Sequence, residues 1–153
     1  MLFRIIWVGK TRNTHLRALS EDYFSRLSRF VRCEIVEIRE SAAASAREGI
    51  EDEGSRIISA LKPDALTVLL DVDGETNNSH DIGEAVRKWQ NQGVRQVEFI
   101  IGGHHGHAET LRRKARTTWS LSRLTFTHEM ARVLLLEQLY RAYTIIGGLP
   151  YQK

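Results

Sequence analysis

The residues best suited to chemistry form a short loop directly after an apolar stretch. Residues 97–101 are predicted to form a buried strand, and residues 102–106, three glycines and two histidines, follow at once. Glycine allows a backbone to approach a ligand closely, and ligands of open α/β sheets bind outside the carboxyl ends of the strands. The loop therefore predicts a binding site, although a tight turn after a strand would explain the same glycines.

A second segment of this kind lies further along the chain. Residues 119–128 are predicted to form an apolar strand with a polar exit, and a long amphipathic helix follows. That helix carries several polar side chains: Arg132, Glu137, Gln138, Tyr140 and Arg141. Two neighbouring loops lined by glycine or hydroxyl groups suit a bound small molecule.

Strands and helices alternate along the whole chain. Five strands are predicted, at Leu2–Val8 and at residues 33–38, 66–70, 97–101 and 119–128, with a turn at residues 71–74. Helices are predicted to be capped by Thr14 and by Ser79 and to begin at Ala46, with a short helix between the two loops and a long one after His128. This alternation predicts an α/β fold, a mainly parallel sheet with helices on both faces, in a single domain spanning residues 1–153.

Composition and charge narrow the class of protein. The chain has 153 residues, 42% of them hydrophobic and 27% charged, as in ordinary globular proteins. It lacks the run of about eighteen apolar residues that a membrane helix needs, and its lone cysteine, Cys33, fits a reducing cytoplasm. The basic cluster Arg112, Arg113, Lys114 and Arg116 suits either a phosphate-rich partner or a solvated helix face. We expect a cytoplasmic protein that does not associate with membranes.

The histidines offer two chemical interpretations. His128, at the predicted strand exit, suits a general base near neutral pH, but it equally suits a cap of the last helix. His104, His105 and His107 are close in sequence, but without a carboxylate or cysteine pattern they are weak evidence for a metal. We therefore expect surface histidines and no metal.

Several stretches match a known pattern in order. They are Leu69, Leu70 and Asp71 with Gly74; Phe99 to Gly103 with Gly106; Trp119 to Ser122 with Leu124, Thr125 and His128; and Arg132 and Val133 with Glu137 to Ala142. Over almost its whole length the chain resembles the ribosomal RNA large subunit methyltransferase H family, a minimal branch of the SPOUT superfamily. The Trp-Ser-Leu-Ser and Leu-Tyr-Arg-Ala stretches are specific in combination, whereas the glycine loop alone is not.

This resemblance implies a fold and an activity. The fold would be an α/β sheet whose C-terminal part is threaded as a deep trefoil knot, a feature nearly absent from proteins in general. The cofactor would be S-adenosylmethionine (SAM), and the product 3-methylpseudouridine in 23S rRNA, made on the assembled ribosome by a homodimer.

The resemblance also implies where the cofactor binds. We expect the pocket to be built from the predicted strand exits by the following residues: Leu70, Gly102, Gly103, Leu121, Ser122, Arg123, Leu124, Thr125 and Phe126. Each leucine taken singly fits core packing as well. SAM carries no phosphate, so the absence of a dinucleotide glycine fingerprint does not count against it.

The same resemblance places RNA contacts in the last helix and the tail. Arg132, Arg141, Tyr151 and Lys153 are expected to face RNA, and the tail to close over the target base. The two arginines fit ion pairs within the chain or with a partner subunit equally well. Val133 to Leu136, Leu139 and Tyr143 give the last helix more apolar positions than one stripe needs, which predicts a dimer interface.

Three departures from the family pattern concern function. They are His104–His105 in the glycine loop, Glu129 after His128, and Gln152 where a histidine is usual. A second hypothesis is therefore a knotted protein that binds RNA or the ribosome with weak or lost catalysis. A third, an unrelated α/β nucleotide-binding protein, is disfavoured because both phosphate-loop motifs are absent.

Overall fold

The computed structural model describes residues 1–152. They contain one five-stranded, fully parallel sheet with helices packed against it. The strand order is β2-β1-β4-β3-β5. The elements are β1 (Leu2–Val8), α1 (Thr14–Leu27), β2 (Arg32–Ile38), α2 (Ala46–Ala60), β3 (Leu66–Thr76), α3 (Ser79–Asn91), β4 (Gln96–Ile101), α4 (Glu109–Lys114), β5 (Thr117–Ser120), α5 (His128–Ile146) and a final 3₁₀ turn (Pro150–Gln152). None of the described helices is both long enough and apolar enough to span a membrane.

Alternating side chains of the central strands fill a core on each face of the sheet. In β1, Phe3 and Trp7 point to the face covered by α1, α3 and α5, whereas Ile6 and Val8 point to the face covered by α2 and α4. The predicted α/β class, with a parallel sheet and helices on both faces, is confirmed. The knotted threading stays a prediction from the resemblance.

Helix α5 is enclosed on most of its circumference by its own chain. It packs between α1 and α3, and eight of its residues are buried: Arg132, Val133, Leu135, Leu136, Leu139, Ala142, Tyr143 and Thr144. Five of the six apolar residues that predict an interface are therefore buried inside the protomer, and Leu134 is partly exposed. The apolar residues of α5 therefore do not by themselves indicate a homodimer interface.

Two strands end at different residues than the pattern predicts. Strand β3 does not turn after Leu70 but continues to Thr76, and its pairing with β5 shifts register between Leu70 and Glu75. Gly74 permits this because a Cβ there would lie 2.6 Å from the backbone carbon of Trp119. The register shift is a tertiary feature that side-chain periodicity does not reveal.

The last strand ends eight residues earlier than predicted, because β5 spans Thr117–Ser120 and residues 121–127 form a loop. Ser120 Oγ donates to the carbonyl of Ser122 at 2.9 Å, and Ser122 Oγ accepts from the N–H of Leu124 at 3.0 Å. Such local bonds compete with strand pairing. Thr127 then caps α5 by accepting from Met130 N–H at 3.2 Å, so His128 is the first residue of that helix.

Candidate functional site

A cavity of about 940 Å³ lies where the pairing of β3 with β4 ends, beside the end of β5 and the start of α5. Its walls come from the middle of β3, from the loops after β4 and β5, from the first residues of α5, and from Asn13 and Leu16 at the start of α1. Pockets for small molecules usually measure about 300–1,000 Å³ and are mostly apolar. This cavity is therefore large enough for a nucleoside-sized ligand.

Most of the residues expected to hold the cofactor line this larger cavity. They are Leu70, Gly102, Gly103, Leu121, Ser122, Leu124, Thr125 and Phe126. Arg123 is not among the lining residues. Leu124 is 71% exposed, so it stands at the mouth of the cavity and not in the core.

The glycine loop is a tight turn that has no room for a side chain at its first position. The N–H of Gly106 donates to the carbonyl of Gly103 at 3.3 Å, and Gly106 has a φ of 94°, which favours glycine. A Cβ on Gly102 would lie 2.8 Å from the carbonyl oxygen of Gly106 and 2.7 Å from the His107 ring. The glycines therefore serve both the turn and the cavity wall.

His107 is not the surface histidine that the sequence predicts. Its ring is largely buried, and its Nε2 lies 2.7 Å from the carbonyl oxygen of Leu70. Burial holds the pKa of His107 below its ordinary value, so the ring is neutral and Nε2 donates this bond. Nδ1 is then an acceptor, and it is buried without a partner among the described residues. The ring fastens the glycine loop to the middle of β3.

Sequence reasoning also missed a charged pair at the edge of the larger cavity. Arg112 Nη2 lies 2.7 Å from Asp71 Oδ2, and the Asp71 side chain is only 4% exposed. Both residues line the cavity. Asp71 directly follows the predicted strand at residues 66–70, and ligands of parallel sheets bind at strand exits. Its position in the sequence therefore already indicated that it belongs to this site.

A second cavity of about 500 Å³ adjoins the first. It is bounded by the loops after β1 and β2, by the first turn of α2, and by the glycine loop. Four residues line both cavities: Gly103, His104, His128 and Glu129. The two spaces therefore meet at the glycine loop and the start of α5.

His128 stands on this shared wall and is half-buried. Burial lowers the pKa of its imidazole below the ordinary value, and the nearby positive charge of Arg132 lowers it further. The ring centroid of His104 lies 6.3 Å away, in an edge-to-face arrangement. His128 is therefore neutral near pH 7 and able to accept a proton.

Glu129 ties the start of α5 to the loop after β1. Its carboxylate accepts the backbone N–H of Arg12 at 2.7 Å and that of Asn13 at 3.1 Å. Partial burial opposes the charged form, but these bonds outweigh it and hold the pKa of Glu129 below its ordinary value. The departure from the family pattern at this position therefore has a structural role.

Arg132 is fully buried, which corrects the expectation that it faces RNA. Its guanidinium donates to the carbonyl of Val8 at 2.6 Å and to Thr11 Oγ1 at 2.7 Å, and it lies 4.9 Å from the ring centroid of Trp7. The apolar positions around it gave no signal that a cation would be enclosed. Arg132 thus holds the exit of β1 against α5 from inside the fold.

We expect Arg132→Ala to lower the free energy of unfolding by about 3 kcal/mol, because it leaves a cavity and an unpaired buried carbonyl. Chemical denaturation measures this loss. The control is Arg113→Ala, whose side chain is 78% exposed and whose removal should change stability by less than about 0.5 kcal/mol. Equal stabilities of the two variants would contradict a structural role for Arg132.

The other expected RNA contacts also bind within the chain. Arg141 donates to Glu137 Oε1 at 2.6 Å and lies 4.6 Å from the ring centroid of Tyr151. The Tyr151 hydroxyl lies 3.1 Å from Glu137 Oε1 and 3.3 Å from the hydroxyl oxygen of Tyr23. The tail is therefore docked on α1 and α5, not free to close from a flexible linker. Lys153 lies outside the described residues.

The docked tail is remote from the two cavities of its own chain. Tyr151 packs against Tyr140, with ring centroids 4.8 Å apart, whereas the cavities meet at His128. Tyr140 and His128 are twelve positions apart in α5, which is about 18 Å along the helix axis. Tail and cavity do not form one site within a single protomer in this conformation.

Comparison with known proteins identifies the family. The family described as predicted SPOUT methyltransferase matches residues 1–152. The chain belongs to the SPOUT methyltransferase family. It is 40% identical over 151 residues to the ribosomal RNA large subunit methyltransferase H of Geotalea daltonii, covering 99% of both chains. It is 39% identical to the protein of the same name from Gloeobacter violaceus, covering 99% of this chain and 98% of the other.

One solved structure is also similar, that of the SpoU methyltransferase AviRb from Streptomyces viridochromogenes in complex with AdoMet. Its TM-score is 0.48 at 13% identity, and the match covers 95% of this chain but 61% of that one.

The larger cavity fits the methyl donor of this family, which is SAM. Leucine side chains of the strand exits and Phe126 offer apolar contact to an adenine, and the backbone of the loop offers hydrogen bonds to its polar edge. The unpartnered Nδ1 of His107 adds a buried acceptor beside the glycine loop. Within residues 1–152, no group of three His, Cys, Asp or Glu side chains is placed to hold a metal ion.

Proposed function

We propose that this protein transfers a methyl group from SAM to N3 of a pseudouridine in the 23S rRNA of the assembled ribosome, in the cytoplasm. The observation that carries the proposal is the near-complete alignment, at 40% identity, with proteins named ribosomal RNA large subunit methyltransferase H. The low pKa of His128 beside the larger cavity supports it. We also propose that residues 1–153 act as one domain.

Bound SAM supplies an electrophilic methyl group on a cationic sulfur. The protein's own part is to position the acceptor nitrogen, exclude water and remove the proton from N3. Neutral His128 accepts that proton at its free ring nitrogen. Asn13, Leu16 and the 121–127 loop enclose the cavity and limit the access of water.

We propose that the larger cavity holds SAM through the nine residues named from the sequence, with Arg123 contributing from outside the wall. A methyl group on Gly102 would press against the Gly106 carbonyl and the His107 ring, and would thereby open the turn. We expect Gly102→Ala to weaken SAM binding at least tenfold, about 1.4 kcal/mol. Calorimetric titration of the folded variant measures it.

The matched control is Gly83→Ala in α3. A Cβ on Gly83 would meet Ile145 at an ordinary 3.5 Å, and Gly83 lines neither cavity. Its SAM affinity should equal that of the wild type. Tight SAM binding by Gly102→Ala would place the cofactor elsewhere.

We propose a homodimer in which the tail of one protomer serves the cavities of its partner. The support is the position of the tail, which packs against Tyr140, about 18 Å along α5 from His128 of the same chain. In a two-fold dimer, both tails could then act in trans. In that arrangement Tyr151 contacts RNA, Lys153 a phosphate, and Arg141 orients the Tyr151 ring. Light scattering at micromolar concentration should give twice the protomer mass, and a monomer would contradict the arrangement.

The activity is tested with ribosomes from a strain that lacks this gene. Purified protein and SAM should restore one methyl group, which mass spectrometry of 23S rRNA fragments locates on a base. SAM binding without methyl transfer would favour the second hypothesis, an RNA-binding protein that has lost catalysis. A methyl group on another nucleotide would correct the substrate but keep the reaction class.

A further inference from the structure

The proposed binding of the methyl donor leaves the smaller cavity without a ligand, although this cavity opens onto the same wall. It shares Gly103, His104, His128 and Glu129 with the larger cavity. Methyl transfer requires the acceptor atom to lie about 3–3.5 Å from the donated carbon. A second compartment that meets the first at the proposed base is therefore where an acceptor should enter.

We propose that the smaller cavity is the binding site for the extruded nucleotide that is methylated. This proposal rests on the proposed function and adds to it the place of the acceptor. Its volume of about 500 Å³ lies in the range of pockets that hold nucleotide-sized ligands. A base must leave its stack to be modified, and it is then held in a closed pocket of this kind.

The smaller cavity is lined by three carboxylates and two cations. Each carboxylate is already bound by a group of the protein itself. Glu40 pairs with Arg12 at 2.9 Å, and Glu53 accepts the N–H of Ser41 at 3.0 Å. Glu129 accepts two backbone N–H groups, as described above. An incoming phosphate must therefore be bound by a cation that these carboxylates do not engage.

Positive and aromatic groups of the same cavity remain available. Lys10 is exposed and forms no ion pair with any of residues 1–152, which leaves its ammonium group able to contact a phosphate. The rings of His104 and His105 lie 5.0 Å apart, and His104 also meets the ring of His128. Imidazole rings stack on unpaired bases. The departure His104–His105 from the family pattern thereby gains a role, which is to contact the target base.

A bulky side chain in the smaller cavity distinguishes the acceptor site from the donor site, because it should block the acceptor and leave SAM binding intact. Ala46 lines only the smaller cavity and is the first residue of α2. We expect Ala46→Trp to lower ribosome methylation at least a hundredfold while SAM affinity, by calorimetry, stays within about threefold. The control is Glu51→Trp, on the same helix but lining neither cavity, which should keep both properties within about threefold.

A second measurement needs neither SAM nor turnover. Pseudouridine 5′-monophosphate at millimolar concentration should shift the imidazole resonances of His104 and His105 in the wild type and in Glu51→Trp, but not in Ala46→Trp. If ribosome methylation fails even in the wild type, the proposed function is lost, while this binding result still decides whether the cavity takes a nucleotide. Ala44→Trp fills the same cavity from the preceding loop and replaces Ala46→Trp if that variant does not fold.

Three results would overturn the proposal. One is unchanged methylation by a folded Ala46→Trp variant. Another is a large loss of SAM affinity in that variant, which would make the smaller cavity part of the donor site. The third is nucleotide binding that is equal in Ala46→Trp and Glu51→Trp.

Discussion

Removal of residues 151–153 should abolish methylation of whole ribosomes, with a loss of at least a hundredfold, while SAM affinity stays within about threefold. The tail is docked far from the larger cavity, where Tyr151 meets Tyr140, Glu137 and Arg141. Its loss therefore leaves the walls that hold SAM in the same protomer in place. The deletion removes the Tyr151 ring and the Lys153 ammonium group, which we propose to contact RNA. It also removes the ring against which Arg141 packs. Paired assays of SAM titration and ribosome methylation measure the two effects.

Subunit mixing decides whether the tail acts on its own chain or on its partner. Tail-deleted protomers are mixed with His128→Ala protomers, each inactive alone. If the tail serves the partner, each mixed dimer has one intact site, and random mixing should restore about one quarter of the wild-type activity. If the tail serves its own chain, no site is intact and the mixture stays inactive. Full activity of the tail deletion by itself would refute any role of the tail.

The tail also allows a conservative control. Tyr151→Phe keeps the ring against Arg141 and Tyr140 but loses the hydroxyl that lies 3.1 Å from Glu137 Oε1. We expect it to retain most of the activity, because stacking on a base needs the ring and not the hydroxyl. A loss as large as that of the deletion would mean that the hydroxyl itself contacts the substrate.

Local sequence patterns were sufficient for the order of elements and for the class of fold. Continuous apolar runs such as Leu2–Val8 are typical of strands buried on both faces, and β1 has these bounds in the structure. Helix α1 was also expected at this place, but its cap is Asn13 and not the predicted Thr14, since Asn13 accepts from the N–H of Leu16 at 3.1 Å. Both features depend on neighbours in sequence, which a single sequence contains.

Features that depend on distant neighbours were not predictable in the same way. The extension of β3 past Gly74 needs the backbone of β5 beside it. Arg132 is polar in sequence, but the carbonyl of Val8 and the ring of Trp7 lie more than a hundred residues away along the chain. His107 likewise depends on Leu70. Arg132 and His107 are polar side chains held in the interior by tertiary contacts, whereas residue type alone favours exposure for them.

The candidate site was foreseeable as a location but not as a pair of cavities. Strand exits in parallel sheets lie at one edge, so Leu70, Gly102 and Leu121 were expected to meet. The smaller cavity depends instead on Ala46 and on Lys10, which lie in loops and at a helix start with no motif of their own. The proximity of these residues to His104 follows from the position of β1 between β2 and β4.

His128→Ala should lower the rate of methylation by about a hundredfold or more, the usual contribution of a general base. SAM affinity should fall far less, because backbone and apolar groups supply most of the larger cavity. Single-turnover methylation of ribosomes, with saturating SAM, measures the chemical step. The control is His80→Ala, an exposed histidine in α3 that lines neither cavity and whose loss should leave the rate unchanged.

The pH dependence distinguishes a base from a histidine that only caps α5. Catalysis needs neutral His128, and burial together with Arg132 lowers its pKa, so the neutral form persists to more acidic pH than for an ordinary histidine. The wild-type rate should therefore rise with pH only below about 6.5 and then level off. In His128→Ala, solvent hydroxide must take the proton, so the residual rate should keep rising through pH 8, and added imidazole should restore part of the activity. If the pH–rate profile of His128→Ala keeps the same plateau as the wild type, His128 is not the base and its only role is at the start of α5. The base would then have to come from groups that a partner subunit brings to the shared wall.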